Sequence, residues 1–274
     1  MKRGAAGAWR ALEAELAAWH AAGRVAGFWW RDDDAVAPSA ALDRLLDLAA
    51  GHRADVALAV IPARAEPALA RSLAEHPART AVLQHGYAHL DHAPAGAKKC
   101  ELVAPEARPA ILEELARGRD RLEALLGERL LPVMVPPWNR IDAALLRRLP
   151  ALGFAALSTY KARPCAAPAP GLLQVNCHLD ILQWRPERCF VGTDAALALL
   201  TGHLAAKRSA AAEDEEPTGI LTHHQVHDAD AWDFFEALLS FLGGHEAARL
   251  MPPRAVFAPA LAGNARPAAE TRPR

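Results

Sequence analysis

Cysteine is scarce and unpaired. Cys100, Cys165, Cys177 and Cys189 form no CxxC motif, so they read as scattered reduced thiols of a cytoplasmic protein. Long apolar runs are missing as well. No stretch of about 18 residues is both apolar and free of charge, which excludes an ordinary membrane-spanning helix. Charge of one sign is also absent: 31 Lys and Arg face 32 Asp and Glu, giving a net charge of −1 and a pI near 6.9. Nothing in that balance attracts nucleic acid or an anionic membrane surface. The start, Met1-Lys2-Arg3, is basic, but Arg10, Glu13, Glu15, His20 and Arg24 break up the apolar residues after it. It therefore lacks the apolar core of a signal peptide, and a cytoplasmic location is expected. No internal repeat is present.

What is present is a chain of 274 residues with 52% hydrophobic content, enough for one large α/β domain. Trp9, Leu12, Leu16 and Trp19 are spaced as an amphipathic helix within residues 1–24, with Gly23 to end it. Seven apolar segments read as strands: 25–30, 56–61, 80–83, 130–135, 154–157, 172–177 and 219–222. Helical patterns lie between them: one capped by Ser39, others over 66–75, 105–126 and 142–149, one capped by Thr193 or Asp194, and a closing one over 230–241. Residues 206–217 read as a solvated acidic linker and 261–274 as a disordered tail. Strands alternating with helices imply a parallel sheet. Asp32–Asp34, His85, Trp138, Asp180 and His223 each sit just past a strand's end. That is where βα barrels build their sites, so the expected fold is a distorted (β/α)7 TIM-like barrel over residues 25–260. Loops 91–99 and 161–170 are expected to overhang the same rim.

Two stretches carry the chemistry. Phe28-Trp29-Trp30-Arg31-Asp32-Asp33-Asp34 runs from aromatic residues into three adjacent carboxylates. Such charges repel unless a cation or solvent relieves them. His85 and His89 lie four apart, which on a helical turn puts both imidazoles on one face. Two His and one Asp suit a zinc site with an open position. His223, His224, His227 and Asp228 form a further cluster at the last strand, where one His can serve as general acid. Pro137, Trp138 and Asn139 form a rigid turn or a stacking wall. Trp184 is core or a second wall, and Asp180 either caps a helix or orients the acid His.

Taken in order, Asp33-Asp34, His85-Gly86-Tyr87-Ala88-His89, Pro136-Pro137-Trp138, Asp180 with Trp184, and Leu221-Thr222-His223 resemble the motifs of the polysaccharide deacetylase family, the NodB-homology carbohydrate esterases. The resemblance spans roughly residues 25–230. It implies hydrolytic removal of an acyl group, usually acetyl from an amino sugar, with a divalent metal, most simply zinc. It also implies Asp33 as base, Asp34, His85 and His89 as metal ligands, and His223 as acid. Arg31, Asp32, Pro137, Trp138, Asn139, Asp180, Trp184 and His224 would surround the substrate or support these groups. The chain departs from the pattern in three places. A third Asp leaves Asp32-Asp33 open as the alternative pair. Met134 and Val135 stand where the third motif carries the Arg that orients the base, so Arg31 or Arg140 must substitute. Ala35 follows the pair in place of Gly. The expected partner is a small carbohydrate or other N-acyl substrate, with neither nucleic acid nor membrane insertion. Oligomeric state is not written in the sequence. The alternatives to a sugar deacetylase are a non-catalytic carbohydrate-binding barrel and a metal-dependent amidase on a non-sugar substrate.

Overall fold

The computed structural model describes residues 3–76, 79–209 and 216–263. The elements follow in order: α1 (Arg3–Ala21), β1 (Ala26–Ala35), α2 (Ala40–Gly51), β2 (Val56–Val60), α3 (Pro67–Glu75), β3 (Thr80–His85), α4 (Ile111–Leu126) and β4 (Leu130–Val135). Next come α5 (Ala143–Leu146), β5 (Ala156–Leu157), β6 (Leu173–Gln174), β7 (Cys177–Asp180), β8 (Leu182–Gln183), β9 (Cys189–Phe190), α6 (Thr193–Arg208) and β10 (Thr218–Thr222). The chain ends with α7 (Ala229–Gly244), β11 (Ala248–Leu250), α8 (Pro253–Val256) and α9 (Ala258–Gly263). The parallel sheet runs β6-β5-β4-β3-β2-β1-β10-β7, and β11 adds to β1.

This is a curled, distorted (β/α) barrel. The expected sixth strand is broken in two, and the break closes the barrel. Cys177 pairs with Gly219 of β10 on one side and bridges to Tyr160 on the other. The chain thus leaves the neighbourhood of β5 and joins β10 without a free edge between them. Period-two alternation splits the core. Trp29, Ala57, Ala59, Leu83, Val133, Val135, Cys177 and Leu221 pack as one inner cluster with Phe257. Trp30, Leu58, Val82 and Ile220 pack with the surrounding helices in a second cluster. Trp29 meets Phe257 edge-on at 5.4 Å, among alanines small enough to admit its ring.

Several boundaries differ from the sequence reading, each for a local reason. Ser39 caps α2 by accepting from the Leu42 N–H at 3.1 Å, as expected. Helix α4 begins at Ile111, because Arg108-Pro109 blocks an earlier start. Neither Thr193 nor Asp194 caps α6; its N-cap is Gly192 at φ 91°. Residues 261–263, assigned to the tail, belong to α9, and 264–274 lie outside the described residues. Residues 206–208 complete α6, and Glu216 is buried rather than solvated; 210–215 lie outside the described residues. Glu216 accepts from the Asn176 N–H at 2.7 Å and from His178 Nε2 at 3.2 Å, and Arg163 Nε stands 3.8 Å away. Arg163 thereby ties loop 161–170 to the base of β10, so this loop does not overhang the rim as expected. Loop 91–99 does stand beside the rim: Lys99 Nζ lies 5.7 Å over the Trp138 ring.

Two predictions come from the barrel base. A Cβ on Gly219 would lie 2.5 Å from Asn176 O and 2.7 Å from Cys177 Cα, both backbone atoms that cannot swing aside. Gly219→Ala should lower the unfolding free energy by about 1–3 kcal/mol in urea titration followed by circular dichroism. His203 stacks on His178 at 4.0 Å, and burial, then His178 and Lys207, push its imidazole down to about 3. Its unfolded value is near 6.5. The unfolded chain therefore binds a proton that the folded chain refuses as pH falls from 6.5 towards 3, and stability drops with it. His203→Phe should flatten the fall in stability with acid in that window by up to about 1.4 kcal/mol per pH unit. An unchanged slope would show that His203 is not the group responsible.

Candidate active site

The site is built on one irregularity in β1. Strand alternation would send Asp32 and Asp34 to the same face. The strand does not stop before the triplet, as the sequence reading had it; it continues to Ala35 with a bulge in its pairing with β2 between Asp32 and Ala35. Asp34 takes φ 73°, a conformation rare for a residue with a side chain. The three carboxylates accordingly go three ways.

Asp33 meets Arg31, two residues back on the same face. Arg31 Nε lies 2.9 Å from Asp33 Oδ1, and Nη2 donates to Oδ2 at 3.0 Å. The guanidinium also donates to Asn139 Oδ1 at 2.7 Å and Ser158 Oγ at 2.8 Å. Both partners of the pair are buried, with side chains 0% and 2% exposed. Burial opposes the charge on Arg31, but the Asp33 carboxylate outweighs it and raises the arginine further. Of the two candidates to replace the missing motif Arg, Arg31 is the one in place. Arg140 instead donates to Lys99 O at 2.9 Å.

Asp34 meets the two imidazoles. Its Oδ1 lies 3.2 Å from His85 Nε2 and 3.4 Å from His89 Nε2, and the three ligand atoms fall within 4.8 Å of one another. Burial opposes charging of Asp34, but the imidazoles of His85, His223 and His89, when they carry a second proton, hold its carboxyl well below the usual carboxylate range. His85 and His89 do not share a helical face, as the spacing suggested. His85 ends β3, and the chain then turns tightly through Gly86 at φ 55° to His89 at φ 59°. Glu101, which the sequence reading missed, holds this turn. Its buried carboxylate accepts from the N–H groups of Tyr87 at 3.2 Å, Ala88 at 2.7 Å and His89 at 3.0 Å. Gly86 is required here twice over, since a Cβ would lie 2.0 Å from Glu101 Oε2 and 2.7 Å from Pro137.

The donor set fits a divalent cation. His85 Nδ1 lies 3.0 Å from Val135 O, a pure acceptor, so Nδ1 carries the proton and Nε2 presents its lone pair. Asp34 Oδ1 is buried with no hydrogen-bond donor directed at it. With both imidazoles neutral, three electron-pair donors face one another around one point. Separations of about 3.4 Å are what two donors have when each is about 2.1 Å from one tetrahedral ion.

His223 stands on the other side of Asp33, with Nε2 3.9 Å from Asp33 Oδ2. Two tryptophans brace the histidines edge-on: Trp138 against His89 at 4.5 Å and Trp184 against His223 at 4.6 Å. Trp138 and Asn139 both have φ 55°, a strained turn that carries the wall and the Arg31 acceptor together, behind buried Pro137. Asp180 does not hydrogen-bond His223. It accepts from Trp184 Nε1 at 2.8 Å, and that ring meets His223 edge-on at 4.6 Å. Burial pushes the Asp180 carboxyl up. Asp32 and His224 are paired behind the site, with Asp32 Oδ1 2.5 Å from His224 Nδ1. Burial opposes both charges, but each partner's charge prevails, lowering Asp32 and raising His224.

Solved structures share this fold. A Mycobacterium smegmatis protein assigned as a polysaccharide deacetylase is 18% identical, with a TM-score of 0.60 over 92% of this chain and 96% of its own. The PuuE allantoinase is 13% identical, with a TM-score of 0.56 over 87% and 90%. The catalytic domain of a peptidoglycan N-acetylglucosamine deacetylase from Eubacterium rectale is 12% identical, with a TM-score of 0.51 over 83% and 88%. No family model matches the sequence, and no curated protein does. The fold is that of the NodB-like polysaccharide deacetylases.

The Arg31–Asp33 pair generates a prediction. Arg31→Met leaves a buried carboxylate without its cation and should destabilise the metal-free protein by about 3–5 kcal/mol. Replacing both residues, Arg31→Met with Asp33→Leu, should recover most of that loss in the same urea titration. A double variant as unstable as Arg31→Met would mean that the pair is not what Arg31 supports.

Proposed function

We propose that the chain is a metal-dependent hydrolase that removes an acetyl or related acyl group from the nitrogen of an amino sugar. The observation that carries this is the convergence of Asp34, His85 and His89 beside a separate carboxylate, Asp33, and a separate imidazole, His223. Asp34 Oδ1, His85 Nε2 and His89 Nε2 are the atoms that would hold the ion, with zinc suited to two imidazoles and one carboxylate. When bound, such a cation supplies Lewis acidity towards water and towards the acyl carbonyl.

The other residues divide the proton work. Water adds to the acyl carbon while Asp33 takes one of its protons. The carbon–nitrogen bond then breaks as His223 delivers a proton to the departing nitrogen, leaving a carboxylic acid and a free amine. Arg31 fixes Asp33 in line. It takes the role of the motif arginine that the sequence lacks, which removes the main support for a non-catalytic barrel. Trp138 and Trp184 bound the space over these groups. Trp184 is 39% exposed at the rim, with Arg188 5.7 Å over its ring, and such an aromatic wall supports a sugar ring over a small non-sugar amide. With loop 161–170 tethered at the barrel base, the walls are loop 91–99 and the segment between β8 and β9. That arrangement supports a small carbohydrate conjugate as the substrate. No helix among the described residues is long and apolar enough to cross a membrane.

The test separates ligand from base. Asp33→Asn should bind zinc as the parent chain does, by isothermal titration, yet lose about 10²–10⁴-fold in acetate release from N-acetyl amino sugars. His85→Ala should lose the metal itself. Equal loss of metal in both variants would move the ligand to Asp33 and overturn these roles. Absence of acetate release from every N-acetyl sugar by the zinc-loaded parent chain would overturn the sugar reading.

A further inference from the structure

We infer that Asp32 is a positioning residue for His223, acting through the backbone on either side of it. This rests on the reading of His223 as the proton donor. Asp32 is fully buried and lies outside the group formed by Asp34, His85 and His89. It lies opposite Thr222 in the pairing of β1 with β10. Its Oδ2 accepts from Thr222 Oγ1 at 2.6 Å and from the His224 N–H at 3.0 Å, while Oδ1 meets His224 Nδ1 at 2.5 Å. One carboxylate therefore grips the residue before His223 and the residue after it. Thr222 is itself held, accepting from Trp30 Nε1 at 2.7 Å. A second tie runs alongside, as Gln225 Nε2 donates to Asp34 O at 3.0 Å.

The consequence is geometric. His223 is the one residue of the 222–224 segment whose side chain this carboxylate does not touch, and its ring is left to face Asp33 at 3.9 Å and Trp184 at 4.6 Å. The backbone that aims the ring is fixed by buried hydrogen bonds from the same strand that carries Asp33 and Asp34. The base, the ion ligand and the acid are thus set by one five-residue stretch of β1. The extra Asp of the triplet and the extra His after His223 make a pair whose product is the placement of their neighbours.

The experiment uses the full chain as Asp32→Asn, which keeps the shape and one acceptor. In the zinc-loaded form, kcat for an N-acetyl amino sugar should fall roughly tenfold to a hundredfold with KM little changed, as expected for a misplaced proton donor. p-Nitrophenyl acetate, whose leaving group needs no proton, should be hydrolysed as by the parent chain. On a His223→Ala background the same change should have no further effect on the amide, because residues acting as one unit are not additive. Thr222→Val, which removes one of the three contacts, should show the same pattern more weakly and serves if Asp32→Asn does not fold. A readout independent of turnover is the nuclear Overhauser contact between the His223 ring and the Trp184 indole. It should be present in the parent chain and lost in the variant, with zinc affinity unchanged in both. Equal loss on both substrates, additivity with His223→Ala, or a retained ring contact would overturn the inference. Failure of the parent chain on every N-acetyl substrate would instead overturn the functional reading and leave the ring contact to decide the placement of His223.

Discussion

Three adjacent carboxylates on one buried strand end are the constraint that the rest of the site answers. Ionised side by side in a low-dielectric interior, they would repel strongly. The bulge between Asp32 and Ala35 and the left-handed turn at Asp34 separate them, and each meets partners of its own. Asp32 has His224, Asp33 has Arg31, and Asp34 faces the ring nitrogens of His85 and His89 at a point where a cation fits. His224, His85 and His89 come from distant parts of the chain, whereas Arg31 lies on the same strand as Asp33, so Asp32 and Asp34 meet their partners only once the barrel closes. Burial of these charges is therefore tied to the completed fold.

The same separation gives the chemistry its geometry. In the proposed reaction a base and an ion ligand must be close, yet must not exchange roles. Asp33 is held at both oxygens by one guanidinium and flanks His223, while Asp34 turns towards His85 and His89. Neighbouring backbone strain is concentrated in the same place: Asp34, His89, Trp138 and Asn139 all have positive φ. Such conformations persist only where the surroundings fix them. Here Glu101 fixes the His85–His89 turn through three N–H groups, and Pro137 packs under Gly86.

Much of this was legible in the sequence, because strand-end phase is a strong signal. Asp33, Asp34, His85, Trp138 and His223 each follow or end an apolar run, and the barrel brings those ends to one rim. Of the two arginines that the sequence left open, Arg31 meets Asp33 and Arg140 does not. What was hidden was hidden for physical reasons. Glu101 looks like any loop acid, because its partners are backbone groups that leave no pattern in side-chain identity. Glu216 sits in an acidic run that reads as solvent-facing, yet His178, Asn176 and Arg163 surround it. The H-x-x-x-H spacing suggested a helical face, whereas Gly86 and Glu101 make a turn that reaches the same convergence. The strand was expected to stop before its charges, because a bulge carries no signature beyond the charges themselves.

Diffraction from crystals soaked in zinc and measured at the zinc absorption edge tests the division of the triplet most directly. The account predicts one strong anomalous peak, about 2.0–2.2 Å from Asp34 Oδ1, His85 Nε2 and His89 Nε2, with Asp33 still paired to Arg31. A peak ligated by Asp33 or Asp32, or zinc bound only at other histidines, would contradict it.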